Sequence, residues 1–331
     1  MMRKRKGYKV YPLTVAQKFH LYYLPFCPSA AVLNIGTSLT IEIDIDWDLL
    51  AKSINKAYAR SEGMRIRLAK DKEGTYYQYV VEPEEKEIEF VDFSSGTMEE
   101  AEATMQQWTT VPFKMEDSPL TRIVMIKMPD GFNGIYFLAH HMIVDAQSLI
   151  CFLRDIIELY CNEKYEGVPY PKEMTSYLEQ LEKDLAYEAG SKAQQRDIEF
   201  FQKEIEKGEP IYSGLRGTGK LEAAREMFKN PDLRTAFNAS DDTKSALDIF
   251  HLEEEPTKRL MDFCEKYHVS LACLLLMGLR TYLQKMNGFE DVSINNAIAR
   301  RATLKEKKCG GTRIHSFPIR TIFSEDMKFI D

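Results

Sequence analysis

The chain has 331 residues, 44% of them hydrophobic and 29% charged, and a formal net charge of −7 at pH 7. That balance excludes a disordered chain, a collagen and a disulfide-knotted mini-protein, and the length predicts two lobes with an ample core. The acidic surplus argues against a nucleic-acid binder. In chain order, Met1-Met2-Arg3-Lys4-Arg5-Lys6 is not followed by an apolar stretch, so no signal peptide is expected. Thr14 reads as the N-cap of a helix through Val15, Phe19 and Tyr22. The alternation of Leu39, Ile41, Ile43 and Ile45 reads as a half-buried strand over 35–45. Asp46 then caps a helix with Leu50, Ile54 and Ala57 on one face, ended by Gly63. Short strands follow at Met64–Leu68, Tyr76–Val81 and Glu87–Val91, and Thr97 with Glu100 forms a capping box for a helix over Met98–Trp108. A hairpin pairs Arg122–Met128 with Ile135–His140, and an amphipathic helix, Ala146–Cys161, follows at once. Its stripe of Ile150, Leu153, Ile157 and Tyr160 reads as core, and this first part reads as strands with helices on one side.

Residues 162–245 differ: two charged helices, about 173–189 and 193–206, lead into a loop-rich crossover. A second half then reads as strand Ala246–Leu252, helices Pro256–Tyr267 and Ser270–Lys285, and strands Val292–Ile298 and Arg313–Phe323. The expected division is 1–170, 171–245 and 246–331. The most apolar run, Leu271 to Leu279, is too short to span a bilayer, so no membrane is expected. The six cysteines, at 27, 151, 161, 264, 273 and 309, show no C-x-x-C spacing, which signals neither a zinc knuckle nor a redox motif, and a reducing cytoplasm is the default.

The sharpest chemical feature is His140-His141-Met142-Ile143-Val144-Asp145-Ala146, where a strand gives way to a helix. Neighbouring side chains on an extended strand point to opposite faces, so the two histidines do not easily share a metal. One faces a cleft as an acid or base and the other packs inward. The free N–H groups of the helix beginning near Ala146 are suited to holding a developing oxyanion, and Asp145 is placed to cap that helix or to pair with an arginine. Other signals are decoys. Gly214 to Leu221 nearly spells a phosphate-binding loop, but Leu221 stands where Ser or Thr should hold magnesium, so it reads as a flexible loop. The runs Glu84–Glu87 and Glu253–Glu255 read as solvated turns, and His20, His251 and His268 as packed or surface histidines. No Gly-x-Ser-x-Gly elbow occurs, which disfavours a serine hydrolase.

Five segments in order complete the reading: Leu13 to Gln17, which is similar to a Ser/Thr-x-Ala-Gln opening; Arg60 to Arg65, similar to Arg-His-Glu-x-Leu-Arg with Ser61 for the histidine; His140 to Ala146, similar to His-His-x-x-x-Asp-Gly with Ala146 for the glycine; Asp291 to Arg301, a strand ending in an arginine; and Gly311 to Arg320, which keeps Pro318 and Arg320 and carries His315 where asparagine is usual. With the charged helices around Tyr177 and Phe200–Phe201, they give a chain that resembles the condensation domains of nonribosomal peptide synthetases and their free-standing acyltransferase relatives. The resemblance implies an α/β fold: two chloramphenicol-acetyltransferase-like lobes in a V, mixed sheets with helices, and a second lobe left incomplete by the end at Asp331. It implies an acyltransferase that joins a carrier-bound acyl or aminoacyl thioester to an amine or hydroxyl. In it His141 faces a tunnel and positions or deprotonates the nucleophile, His140 is structural, and Asp145 pairs with Arg301 or, as second choice, Arg65. Ala146, Ser148 and His315 would line the tunnel. No metal or bound cofactor is implied; the phosphopantetheine thioester is substrate, on a carrier protein or coenzyme A, and the partners are an acyl or peptidyl carrier protein and other synthetase modules. The rival readings are a non-catalytic condensation-like domain that docks a carrier or partner enzyme, an epimerase-like variant, and a coenzyme A-dependent O-acyltransferase.

Overall fold

The computed structural model of the protein describes residues 4–235, 248–324 and 326–328. Chain contacts divide it into two compact units, Met1–Gln194 with Ile298–His315, and Gln195–Ala297 with Ser316–Asp331. The boundary expected at 170 therefore falls later, and a segment assigned to the second half returns to the first unit; residues 236–245 of the expected crossover lie outside the described residues.

The first unit opens with three two-residue strands, β1 (Lys4–Arg5), β2 (Tyr8–Lys9) and β3 (Tyr11–Pro12), then helix α1 (Val15–Tyr23) and strand β4 (Asn34–Ile41). Helix α2 (Trp47–Arg60), strands β5 (Ile66–Lys70), β6 (Tyr76–Val80) and β7 (Glu89–Asp92), helix α3 (Met98–Thr109), the hairpin β8 (Thr121–Lys127) and β9 (Asn133–His140), and helices α4 (Ala146–Lys164) and α5 (Tyr177–Glu188) follow. Four strands pair in the order β4-β9-β8-β7, antiparallel except for β7 on β8, and a smaller sheet has the order β3-β6-β5. Every residue of β9 is buried, as expected for a central strand covered on both faces. On one face Ile135, Phe137 and Ala139 pack with Leu50, Ile54 and Ala57 of α2 and Phe152 and Ile156 of α4; on the other Tyr136 and Leu138 pack with Ala101 and Met105 of α3. Helices thus cover both faces, not one: Ala101 and Met105 give α3 an apolar stripe that needs the second face.

Several local expectations are redrawn by hydrogen bonds. Helix α1 buries Ala16, Gln17 and His20 and leaves Val15, Phe19 and Tyr22 exposed, because the Thr14–Gln17 capping box and the bonds of Gln17 turn its polar side inward. Helix α2 ends at Ser61, and Gly63 lies in the 3-10 turn Glu62–Arg65. In α4 Leu153 and Tyr160 are buried but Ile150 and Ile157 are exposed; Cys151, Phe152, Ile156 and Leu159 form the core stripe. The outer strand β4 ends at Ile41, and its Leu39 and Ile41 are exposed, since it has a strand on one side only.

The second unit holds most of α6 (Lys192–Glu206), α7 (Gly219–Met227), α8 (Glu254–Tyr267), α9 (Leu271–Asn287) and strands β10 (Asp291–Ile298) and β11 (His315–Ile322), which pair; α10 (Leu304–Lys307) lies between those strands in the segment belonging to the first unit. The decoy loop is not loose: Gly219 and Lys220 open α7, and Asn287 both accepts from the Gly214 N–H and donates to its carbonyl at 3.0 Å. The expected strand 246–252 is not formed over 248–252, and 246–247 lie outside the described residues. Glu254 and Glu255 form the first turn of α8, where carboxylates favour the positive end of the helix, and not a turn between elements. Arg320 of β11 holds Asp291 of β10 in a two-pronged ion pair at 2.8 and 2.6 Å. No helix among the described residues is long and apolar enough to cross a membrane.

Candidate active site

Strand β9 delivers His140 into the interior, where it is 1% exposed. Its Nδ1 accepts the Met142 N–H at 3.1 Å, which leaves the ring hydrogen on Nε2. Burial first, then the neighbouring His141, pushes its pKa down to about 4, so at neutral pH it is an uncharged bolt holding the turn that follows.

His141 sits in that turn, half-buried, with its backbone N–H on the Leu33 carbonyl at 2.7 Å. Its Nδ1 is buried with no partner among the described residues, and its Nε2 is not enclosed in that way. The His20 ring of α1 packs against it, with centroids 4.4 Å apart and planes tilted by 35°. His20 is only 7% exposed, and its own Nε2, like that of His140, is buried with no partner among the described residues. Burial, with His141, His140 and His315 nearby, pushes its pKa down to about 3.

Asp145 caps α4, taking the Ser148 N–H at 2.9 Å while the Ser148 hydroxyl accepts the Asp145 N–H at 2.9 Å. The first free N–H groups of the helix are therefore those of Ala146 and Gln147. Ser148, expected on a tunnel wall, is instead buried in this cap. Ala146 is exposed and is not among the positive-φ residues, so its place as first helical residue needs no glycine. Arg301 reaches both Asp145 oxygens at 2.9 Å, and both side chains are 2% exposed. The same guanidinium donates to the Glu306, Cys309 and Gly311 carbonyls, and the Arg313 N–H also donates to Asp145. Arg65, the second choice, is elsewhere: it donates to the Tyr58 and Ala59 carbonyls at the end of α2 and to that of Val81. His315 is half-buried beside Arg300, whose Nη1 lies 3.3 Å from its Nε2, and burial with Arg300 and Arg313 pushes its pKa down to about 4.

Two contributors were not assigned from the sequence. Gln17 donates to the Met142 carbonyl at 3.2 Å and exchanges bonds with Gln78, which Tyr177 also meets, so the opening motif ties α1 to the histidine turn. His20 lies one turn further along the same face of α1. The signal was the Thr14–Gln17 capping box, which fixes which face of α1 turns inward; apolar periodicity pointed to the opposite face.

The chain as a whole has counterparts among known proteins. The sequence profile of the Condensation domain matches residues 8–331. The chain belongs to the condensation-domain family. It is 27% identical to surfactin synthase subunit 1 of Bacillus subtilis (strain 168) over 94% of this chain and 8% of that protein. It is 26% identical to bacitracin synthase 1 of Bacillus licheniformis over 90% of this chain and 5% of that one. It thus spans less than a tenth of the length of either relative. Among solved structures it is similar to the first condensation domain of the calcium-dependent antibiotic synthetase (TM-score 0.74, 20% identity, 97% of this chain and 72% of that one). It is also similar to the starter condensation domain of rhizomide synthetase, solved with C8-CoA (TM-score 0.75, 17% identity, 96% and 68%). These likenesses agree with the mixed α/β fold read from the motifs.

Proposed function

We propose that this condensation domain transfers an acyl or aminoacyl group from a phosphopantetheine thioester to an amine or hydroxyl, and that His141 serves the nucleophile. The observation that carries this reading is the asymmetry of His141: Nδ1 is buried with no partner among the described residues and Nε2 is not enclosed in that way, which leaves one nitrogen for proton exchange. The nucleophile's lone pair attacks the thioester carbonyl as its proton passes to Nε2. The N–H groups of Ala146 and Gln147, at the positive end of a 19-residue helix, support the oxyanion. Collapse breaks the C–S bond, and the departing thiolate takes the proton back from His141. Atoms and charge balance without an acyl-enzyme or a second reactant.

Asp145 touches no reacting atom in this scheme. Its ion pair fixes the head of α4 and so the turn that carries His141. The donor is a carrier protein's thioester, and the partners are that carrier and neighbouring synthetase modules in the cytoplasm. The test is an acyl-transfer assay read by mass spectrometry, offering acyl-carrier and acyl-coenzyme A thioesters with amine and hydroxyl acceptors. Amide or ester from the carrier-bound donor supports the reading. Product from coenzyme A alone replaces the carrier with a free thioester. Carrier binding without any transfer replaces catalysis with docking.

A further inference from the structure

Arg300, on the segment 298–315 that returns to the first unit, is half-buried, and no carboxylate meets it among the described residues. Its Nη1 lies 3.3 Å from Nε2 of His315, and since a guanidinium has no acceptor, the arginine donates. Its guanidinium carbon sits 5.0 Å from the centre of the Tyr187 ring on α5. Nε and Nη2 have no partner among the described residues and are not among the buried atoms, so they reach open space. The backbone of Arg300 has φ +47°, a conformation that a long side chain seldom adopts. Two bonds from Arg313 to the Arg300 carbonyl, at 3.3 and 3.0 Å, hold it there.

The charges around it are otherwise matched. Asp184, Glu188, Arg313 and His315 line the same small hollow as Arg300. Asp184 is taken by Arg313 at 2.5 Å. Glu188 accepts the Val15 N–H at 2.9 Å and faces Lys18 at 3.5 Å. His315 is uncharged at neutral pH, because burial and the two arginines oppose its protonation. Arg300 is the charge left over. The hollow also lies close to the reaction centre. Ala16 of α1 lines it, and His20, whose ring packs on His141, is four residues further along the same buried face of that helix. Four residues are one helical turn, about 6 Å.

We propose that Arg300 is a specificity-determining residue: it binds a carboxylate that one of the two substrates carries a few bonds from its reacting atom, while His315 and Tyr187 hold the guanidinium in place. A guanidinium meets a carboxylate with two parallel N–H bonds, and Nε with Nη2 is the pair left free here. The substrate class is therefore an acidic amino acid on the acceptor side or a dicarboxylic acyl group on the donor side. A neutral substrate of the same shape would leave the half-buried cation unpaired.

This inference rests on the acyl-transfer reading for its meaning, but binding is measured without turnover, so the two fail separately. The probes are pantetheine analogues with an amide in place of the thioester, which cannot react; lacking the phosphate, they bring no second anion. Calorimetry compares aspartyl with asparaginyl pantetheine, and succinyl with succinamoyl pantetheine. In one pair the carboxylate is expected to bind about ten- to a hundredfold more tightly than its amide twin. A preference in the first pair assigns the acceptor, and in the second the acyl group. Arg300→Asn removes the charge with a residue that tolerates the left-handed backbone, and is expected to abolish the preference; Arg300→Lys should keep part of it. Twins that bind alike or not at all in both pairs, or a preference undiminished in Arg300→Asn, overturn the proposal; the wild-type comparison decides even if a variant does not fold.

Discussion

Asp145 accepts from three donors, Arg301 Nη2, the Ser148 N–H and the Arg313 N–H, and sits almost wholly out of solvent. Burying an ion pair is costly unless the remaining donors and acceptors are met; here the guanidinium also finds three backbone carbonyls, and its Nε alone is buried with no partner among the described residues. The pair links residues 156 apart in sequence, so its value lies in fixing the return segment 298–315 against the head of α4. Arg301→Ala leaves the carboxylate buried with its cation gone. It is expected to lower stability by about 3–5 kcal/mol in chemical denaturation, where a surface arginine would cost under about 1 kcal/mol. The pairing was readable from the sequence because the motif order brought Arg301 to Asp145. The Arg65 alternative could not be dismissed there, since only the fold shows that Arg65 is occupied by the carbonyls ending α2.

At the scale of elements, the turn after α2 and the return segment meet backbone to backbone. A Cβ on Gly63 would lie 2.6 Å from the Gly311 nitrogen and 2.8 Å from the Gly310 Cα. Gly311 has φ +84°, and a Cβ there would meet the Tyr177 ring at 2.3 Å. Gly63→Ala is expected to destabilise by about 1–3 kcal/mol, since backbone atoms cannot yield, and Gly311→Ala by at least as much; thermal unfolding beside Gly131→Ala, which shares the positive φ of Gly311 but has nothing within 4 Å, measures the steric part at Gly311. Most elements of the first unit were legible because caps and alternation mark them: Thr97 with Glu100, and the β8–β9 hairpin, fell within two residues of their observed ends. The inward face of α1 was not, because Gln17 and His20 are drawn in by partners distant in sequence. Likewise Ile150 and Ile157 satisfy helical periodicity yet face out, since α4 is covered along a stripe set by α2 and the sheet.

At the scale of the molecule, buried and half-buried histidines couple folding to pH. His20, His140 and His315 have folded pKa values lowered to about 3, about 4 and about 4 from an ordinary 6.5. Between those values and 6.5 the unfolded chain binds more protons than the folded one, so stability is full above pH 6.5 and falls as pH drops through this window. Asp117, lowered to about 2 mainly by Arg5, adds a loss of the same sign below its ordinary 3.8. Denaturation midpoints across mildly acidic pH should show the decline, and replacing His140 with an apolar residue should flatten it. Family and fold class were legible from ordered motifs; the division into units was not, because 298–315 leaves β10 to rejoin the first unit through Arg301. The central claim concerns one nitrogen, Nε2 of His141. The most direct measurement is single-turnover acyl transfer by the wild type and His141→Ala, with matched circular dichroism. The account predicts a rate lower by about 10²–10⁴-fold in the variant at unchanged fold; equal rates in the two proteins would contradict it.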